Sequence, residues 1–367
     1  MFDGKPKYQT QRDLVYTDLS KDFPGYQYSF GKSTYRGEEP GEGGYVHAEP
    51  GVYENVVLYD VESMHPRSIV ELNAFGPYTK NFEELMDGRL DCKHDDEESL
   101  RKRFDGRLND ILDEEGITIR DISNGLKTGI NSVYGLTSAH FDNAFKHPKN
   151  QDNIVAKRGA LFMIDLKIAL QEKGVPVIHI KTDSIKIPKP TPEINEFIFE
   201  FGKRYGYNFE LEDTYKRLAL VNKAAYVCEN EAGEWEAVGA QYKEPFVMKM
   251  LFTKEDLAIK DFFQTKQVRN ASLYLGDRFI GSLAEVYASV TGDDMLRITN
   301  DKEGYVSGTK GFKWRLSNEW IDKDDVDMMY YKEMLKKAIE NIDAVGDAKI
   351  MINDIEEFRD LFTDDES

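Results

Sequence analysis

The sequence predicts an α+β fold. Short β-type runs end in turn residues at Val56-Val57-Leu58-Tyr59, at 175–180 and 185–187, and at 218–227. Longer helix-period patterns fill much of the chain between them, notably over 100–135 and 152–172. Two aspartates mark strand ends. Asp60 closes the first run, and Asp183 lies 123 residues further on, in the turn Lys181-Thr182-Asp183-Ser184.

Residues 1–55 are rich in Gly, Tyr, Pro and charge and read as loops and short strands. Gly25 and Gly31-Lys32-Ser33 have one residue too many between the glycines for a P-loop, and no apolar strand precedes them. Residues 76–136 read as a helical hairpin. Leu100, Phe104, Leu108 and Ile111 share one face of its first arm, and Gly116 breaks the chain. Thr118 and Asp121 form a capping-box pattern for the second arm, and Gly135 stands where a helix usually stops. Ile119, Ile122, Leu126, Ile130 and Val133 make its apolar stripe; Arg120, Asn124, Lys127, Asn131 and Tyr134 make a polar one. Gly125 and Gly129 cost helix stability and suggest a close approach from outside. A helix over 152–172 follows, then the hairpin around Asp183, a helix over 194–205 and strands at 218–221 and 225–227. From about residue 245 the pattern reads as mostly helical, with a long surface helix over 322–343 and an acidic end.

A chain of 367 residues allows two or three domains. Its two cysteines, Cys92 and Cys228, have no Cys or His at ligand spacing, which fits a reducing compartment and excludes a zinc-finger pattern. The best apolar run, 159–170, is interrupted by Asp165 and Lys167, so no membrane span is expected. The net charge of −19 argues against a nucleic-acid partner only superficially. Residues 319–367 hold 16 acids and 6 bases, whereas 243–316 hold 10 acids and 12 bases, and a polyanion track needs only a local basic face.

A lone strand-end carboxylate is usually a cap or a surface acid. Two of them flanking Lys127-Thr128-Gly129-Ile130-Asn131-Ser132-Val133-Tyr134-Gly135 are what metal-assisted phosphoryl transfer needs: acids for two Mg²⁺ ions and a basic helix for a triphosphate. These segments resemble, in order, motifs A, B and C of family B DNA polymerases, most nearly the bacteriophage type. Motif A is Asp60-x-x-Ser63-Met64-His65-Pro66-Arg67, motif B is matched in full, and only the Thr182-Asp183-Ser184 half of motif C is present, with Lys181 in place of its first Asp. Gly41-Glu42-Gly43-Gly44-Tyr45-Val46 resembles the glycine-rich link ahead of the polymerase part. The resemblance covers roughly 40–320.

The resemblance implies a right-hand fold with an antiparallel-sheet palm, helical-hairpin fingers and a mostly helical thumb. The expected boundaries are a lead-in at 1–55, palm at 56–75, fingers at 76–136, palm again at 137–244, and thumb with acidic tail at 245–367. Asp60 and Asp183 would be catalytic and, with Val61, hold two Mg²⁺. Ser63, Met64, His65, Arg101, Lys127, Asn131 and Tyr134 would bind the nucleotide, with Arg103 and Arg107 as alternatives to Arg101 and with His65 where the family has its sugar-gating Tyr. Gly43, Gly44, Lys223 and Tyr226 would touch DNA; for Tyr226 a buried strand position is an equal alternative.

The implied activity is template-directed DNA synthesis from a primer with dNTPs, in phage or prophage replication in the host cytoplasm. Asp60-Val61-Glu62 also fits the start of a proofreading exonuclease, but none of the 20 tyrosines heads a Tyr-x-x-x-Asp. No proofreading is therefore expected from this chain; the exonuclease is either lost or supplied by a separate chain. Phe358, Leu361 and Phe362 before an acidic end read first as a final helix folded back on the thumb, with a sliding-clamp peptide as the alternative. Two other functions stay open: an inactive polymerase-like DNA-binding scaffold, kept alive by Lys181, and another palm enzyme such as a reverse transcriptase.

Overall fold

The computed structural model describes residues 14–141, 143–150, 152–253 and 255–352. It is a mixed α and β chain with antiparallel sheets. It divides into two compact units. One holds the described residues up to His47 with Val57–Glu212; the other holds Ala48–Val56 with the described residues from Asp213. The Phe358, Leu361 and Phe362 segment lies outside the described residues.

In the first unit, helix Ile154–Glu172 is buried along nearly its whole length, as an all-round apolar helix must be. Helix Met64–Glu71 packs on it, and Gly159 permits the contact: a Cβ there would lie 2.5 Å from the Met64 sulfur. The charges that interrupt this helix are paired, because an unpaired buried charge costs several kcal/mol. Asp165 accepts from the Tyr35 and Tyr205 hydroxyls at 2.8 and 3.0 Å and pairs with Arg36 at 3.2 Å. Lys167 binds Glu38 and the Tyr45 hydroxyl. Arg158 donates to the Tyr205 carbonyl at 2.7 Å and lies over the Tyr207 ring.

The helical hairpin is present, with different arms from those expected. Its first arm is Thr79–Lys93, and the residues expected to continue one helix through 100–111 do not. Helix Glu97–Lys102 ends there, and Phe104 and Asp105 both have left-handed backbone. Leu100 still packs with Cys92 and Ile122, so local burial rather than helix periodicity explains the apolar spacing. The second arm, Ile119–Ser138, starts with the expected Thr118–Asp121 capping box. It runs past Gly135, because Asn143 caps the Leu136 carbonyl at 2.9 Å and Lys146 takes that of Ala139. A helical glycine costs only about 1 kcal/mol, which such caps offset.

In the second unit, strands Ala225–Asn230 and Trp235–Val238 extend the antiparallel pairing of Phe209–Asn222. Helix Met328–Asp343 buries Leu335, Ala338 and Ile342 against Ala219, Ala225 and Val227. The expectation of a mostly helical segment beyond 245 is wrong. That stretch builds a three-stranded sheet of Gln264–Gln267, Leu283–Asp293 and Trp314–Leu316. It also builds a four-stranded sheet of Arg278–Gly281, Ser272–Leu275, Met295–Thr299 and Lys302–Tyr305. Hairpin turns explain the miss. Gly276 is left-handed between paired Leu275 and Arg278, and Asn300-Asp301, both left-handed, join paired Thr299 and Lys302. The expected helix over 322–343 starts only at Met328, after a 3-10 turn at Lys323–Asp325. No helix among the described residues is long and apolar enough to cross a membrane.

Candidate active site

Strand Gly51–Val61 carries Asp60 one residue from its end. The neighbouring hairpin pairs Lys181 with Ser184, so Thr182 and Asp183 form a two-residue turn. The Val61 N–H donates to the Asp183 carbonyl at 2.9 Å, which sets the two expected catalytic residues side by side. Both following or flanking backbones are strained. Ser63 has φ 53° and Thr182 φ 59°, and a β-branched residue is rarely held there without support. Support for Thr182 comes from the glycine-rich link. The Thr182 N–H donates to the Tyr45 carbonyl at 2.9 Å, and a Cβ on Gly44 would stand 2.9 Å from Thr182 Cγ2.

Burial first, and then the charges of Asp183, Glu212 and Glu210, push the Asp60 carboxyl up to about 7, while Lys93 opposes the rise. A partly dry pair of carboxylates of like sign calls for a cation. Hard carboxylate oxygens suit Mg²⁺, which typically uses one or two protein carboxylates and fills its other positions with water and phosphate oxygens. The donor set therefore fits such an ion. Among the described residues no group of three His, Cys, Asp or Glu side chains is gathered as an all-protein cage. Lys181 is exposed at the strand end.

The polar stripe of helix Ile119–Ser138 is exposed at Arg120, Asn124, Lys127 and Asn131. A Cβ on Gly125 or Gly129 would meet nothing within 4 Å, so these glycines border open space rather than a neighbouring element of the chain. Tyr134 stacks on His65, with ring centres 4.5 Å apart and 9° between planes. This contact ties the helix to the residues that follow Asp60. His65 Nδ1 is buried without a hydrogen-bond partner, and burial lowers the imidazole pKa.

Two expected nucleotide-binding residues are placed otherwise. Met64 is 2% exposed and spends its side chain on Gly159, so it belongs to the core. Arg101 pairs with Glu97 at 2.7 Å and Asp113 at 2.9 Å, beyond the first arm of the hairpin. Its alternatives are also occupied: Arg103 holds Asp91 and Asp87, and Arg107 holds Asp105. Two other bases reach the Asp60 segment. One is Arg89, whose Nη1 lies 3.4 Å from Ser63 Oγ and whose buried Nε has no partner. Lys93, one turn on, lies 4.0 Å from Glu62 and 3.7 Å from Glu210. A Cβ on Gly88 would touch Leu126 at 3.6 Å, so the turns carrying Arg89 and Lys127 adjoin. Sequence reasoning missed Arg89, Lys93, Glu210 and Glu212. The available signals were the i, i+4 spacing of the two bases and the alternation of the two acids along strand Phe209–Asn222.

Lys223 and Tyr226 belong to the second unit. Lys223 is exposed in the turn joining paired Asn222 and Ala225, and Tyr226 is a buried strand residue paired with Leu220 and Val238.

No protein-family model matches the chain, and no curated protein does. Among solved structures, the chain is similar to a family B DNA polymerase from the hyperthermophilic archaeon Pyrobaculum calidifontis. The match has a TM-score of 0.47 and 14% identity, and it covers 81% of this chain and 46% of that one. The chain thus spans less than half the length of that polymerase.

Proposed function

We propose that this chain is a template-directed DNA polymerase of the family B type, extending a primer 3′-hydroxyl with deoxynucleotides. The observation that carries this is the adjacency of Asp60 and Asp183, fixed by the Val61–Asp183 backbone hydrogen bond, beside a hairpin presenting Arg89 and Lys127. The first unit would supply palm and fingers, and the second would supply the rest of the palm and a thumb rich in strands.

Asp60 and Asp183, with the Val61 carbonyl, would hold two Mg²⁺ ions. When bound, these would lower the pKa of the primer hydroxyl and neutralise the departing pyrophosphate. The chain's own groups do the positioning. Arg89, Lys93 and Lys127 offer cationic donors to a triphosphate, which is stabilised most where its charge grows. Asn131 lies one turn beyond Lys127 and offers a neutral amide donor. The stacked His65 and Tyr134 rings give the sugar a flat floor, and the open space at Gly125 and Gly129 leaves room for a base pair. Gly43 and Gly44 bring a side-chain-free backbone to the template path, and the exposed Lys223 would contact the primer, while Tyr226 stays a buried strand residue.

Extension of a primed DNA template with Mg²⁺ and dNTPs tests this. Asp60→Asn and Asp183→Asn should each lower the rate by orders of magnitude while primer–template binding persists. An inert wild-type chain that still binds DNA would favour the scaffold alternative suggested by Lys181. Preference for an RNA template would favour a reverse transcriptase. Near wild-type extension by either variant would sink the assignment of the two aspartates as a metal-holding pair.

A further inference from the structure

Lys157 stands in the first turn of helix Ile154–Glu172 and is 3% exposed. Both facts work against a charged amine. The helix N-terminus carries partial positive charge, and burial penalises the ammonium, pulling its pKa below the usual lysine range. Two bonds offset the cost. The amine donates to the Pro40 carbonyl at 3.0 Å and to the Gly41 carbonyl at 2.8 Å. Nothing in the phosphoryl-transfer scheme uses this lysine.

Its partners begin the glycine-rich link, and that link leads to the catalytic turn. Gly44 presses on Thr182, and the Tyr45 carbonyl receives the Thr182 N–H. Lys167, ten residues along the same helix, holds the far end through the Tyr45 hydroxyl and also pairs with Glu38, two residues before Pro40. The link is therefore a strap, fastened at both ends to one buried helix and laid across a turn whose first residue has a strained backbone. A turn in that state keeps its geometry only while something over-determines it. Asp183 is its second residue.

We propose that Lys157 is a positioning residue for the Asp183 carboxylate: its grip on the Pro40 and Gly41 carbonyls holds the 41–45 strap against Thr182 and so fixes the turn. The role rests on Asp183 being a metal ligand in the proposed polymerase. It extends that site by a residue that touches neither substrate nor metal.

Hydrogen exchange and kinetics on the full chain test it together. The Thr182 and Val61 amides report the turn directly, since they donate to Tyr45 and Asp183, and the Leu166 amide in mid-helix serves as control. Lys157→Met keeps the length of the side chain and removes its donors. It should speed exchange at Thr182 and Val61 by about tenfold or more and leave Leu166 unchanged. The kcat of primer extension should fall by about tenfold or more, with the KM for dNTP within about twofold, because misplacement of a catalytic group costs rate rather than ground-state binding. Gly44→Ala attacks the strap from its other end and should give the same pattern. Lys157→Arg retains donors and should recover most of the slow exchange.

Unchanged exchange at Thr182 in both Lys157→Met and Gly44→Ala overturns the strap. Faster exchange with unaltered kcat overturns the positioning role. A wild-type chain that extends no primer overturns the polymerase reading instead. That failure is distinguishable, because the Thr182 amide still reports whether the strap holds.

Discussion

Replacing Arg89 separates the proposed nucleotide site from the one the sequence suggested. Its guanidinium makes a single 3.4 Å contact to Ser63 Oγ, and its buried Nε is unpaired, so Arg89→Ala removes little native bonding. The fold should tolerate it, with stability changed by no more than about 1 kcal/mol. In the proposed polymerase the loss should fall on the nucleotide complex. A charge-assisted hydrogen bond to a phosphate is worth about 1.5–3 kcal/mol, and 1.4 kcal/mol is tenfold, so kcat/KM for dNTP should drop roughly 10- to 150-fold. Arg101 is bound to two carboxylates and lies beyond the first arm of the hairpin, so Arg101→Ala should change kcat/KM less than about threefold. Steady-state single-nucleotide insertion on a primed template reads both variants. A larger effect for Arg101→Ala than for Arg89→Ala, or an Arg89→Ala enzyme within threefold of wild type, would refute the assignment.

In the proposed polymerase, removing the His65 ring should raise the use of ribonucleotides relative to deoxynucleotides, because the proposal puts the sugar on the His65–Tyr134 stack. An unmoved ribo/deoxy ratio in His65→Ala would leave the stack a packing contact worth about 0.5–1.5 kcal/mol. In the second unit, Asp325 is 4% exposed and accepts hydrogen bonds from Thr291, Tyr287 and Ser289, with Arg315 nearby. Burial raises its pKa, but those bonds outweigh it, so the folded pKa lies below the ordinary Asp value. Its stabilisation should thus be complete above about pH 4 and fade as the pH drops through the lowered folded value. Asp325→Ala should cost about 3–5 kcal/mol near neutral pH by stranding those partners, and melting curves from pH 3 to 7 should show a flatter acid limb for the variant. An acid limb identical to wild type would remove Asp325 from the acid response.

Features resting on local chemistry were legible in the sequence. The Thr118–Asp121 capping box, the helix expected over 152–172 and the placement of Asp60 and Asp183 at strand ends all follow from residues a few positions apart. Their backbone bonds close locally, or their apolar pattern leaves one way to be buried. The strand-rich stretch beyond residue 245 was also local, in the Gly276-Asp277 and Asn300-Asp301 turns, but aromatic residues mixed with bases obscured the alternation.

Tertiary structure decided the rest. Which arginine reaches the residues after Asp60 depends on where the first arm ends and on left-handed Phe104 and Asp105, which break the stripe through Leu108. Met64 reads as a ligand residue from its neighbours in sequence, yet Gly159, 95 positions away, leaves a space that its sulfur fills. Asp60 and Asp183 are 123 residues apart, and only the pairing of their strands gives one a bearing on the other's charge. Sequence determines which groups exist and which turns and caps they can form. The fold determines which charges share a dry space, because burial and proximity belong to chain segments that meet only after folding.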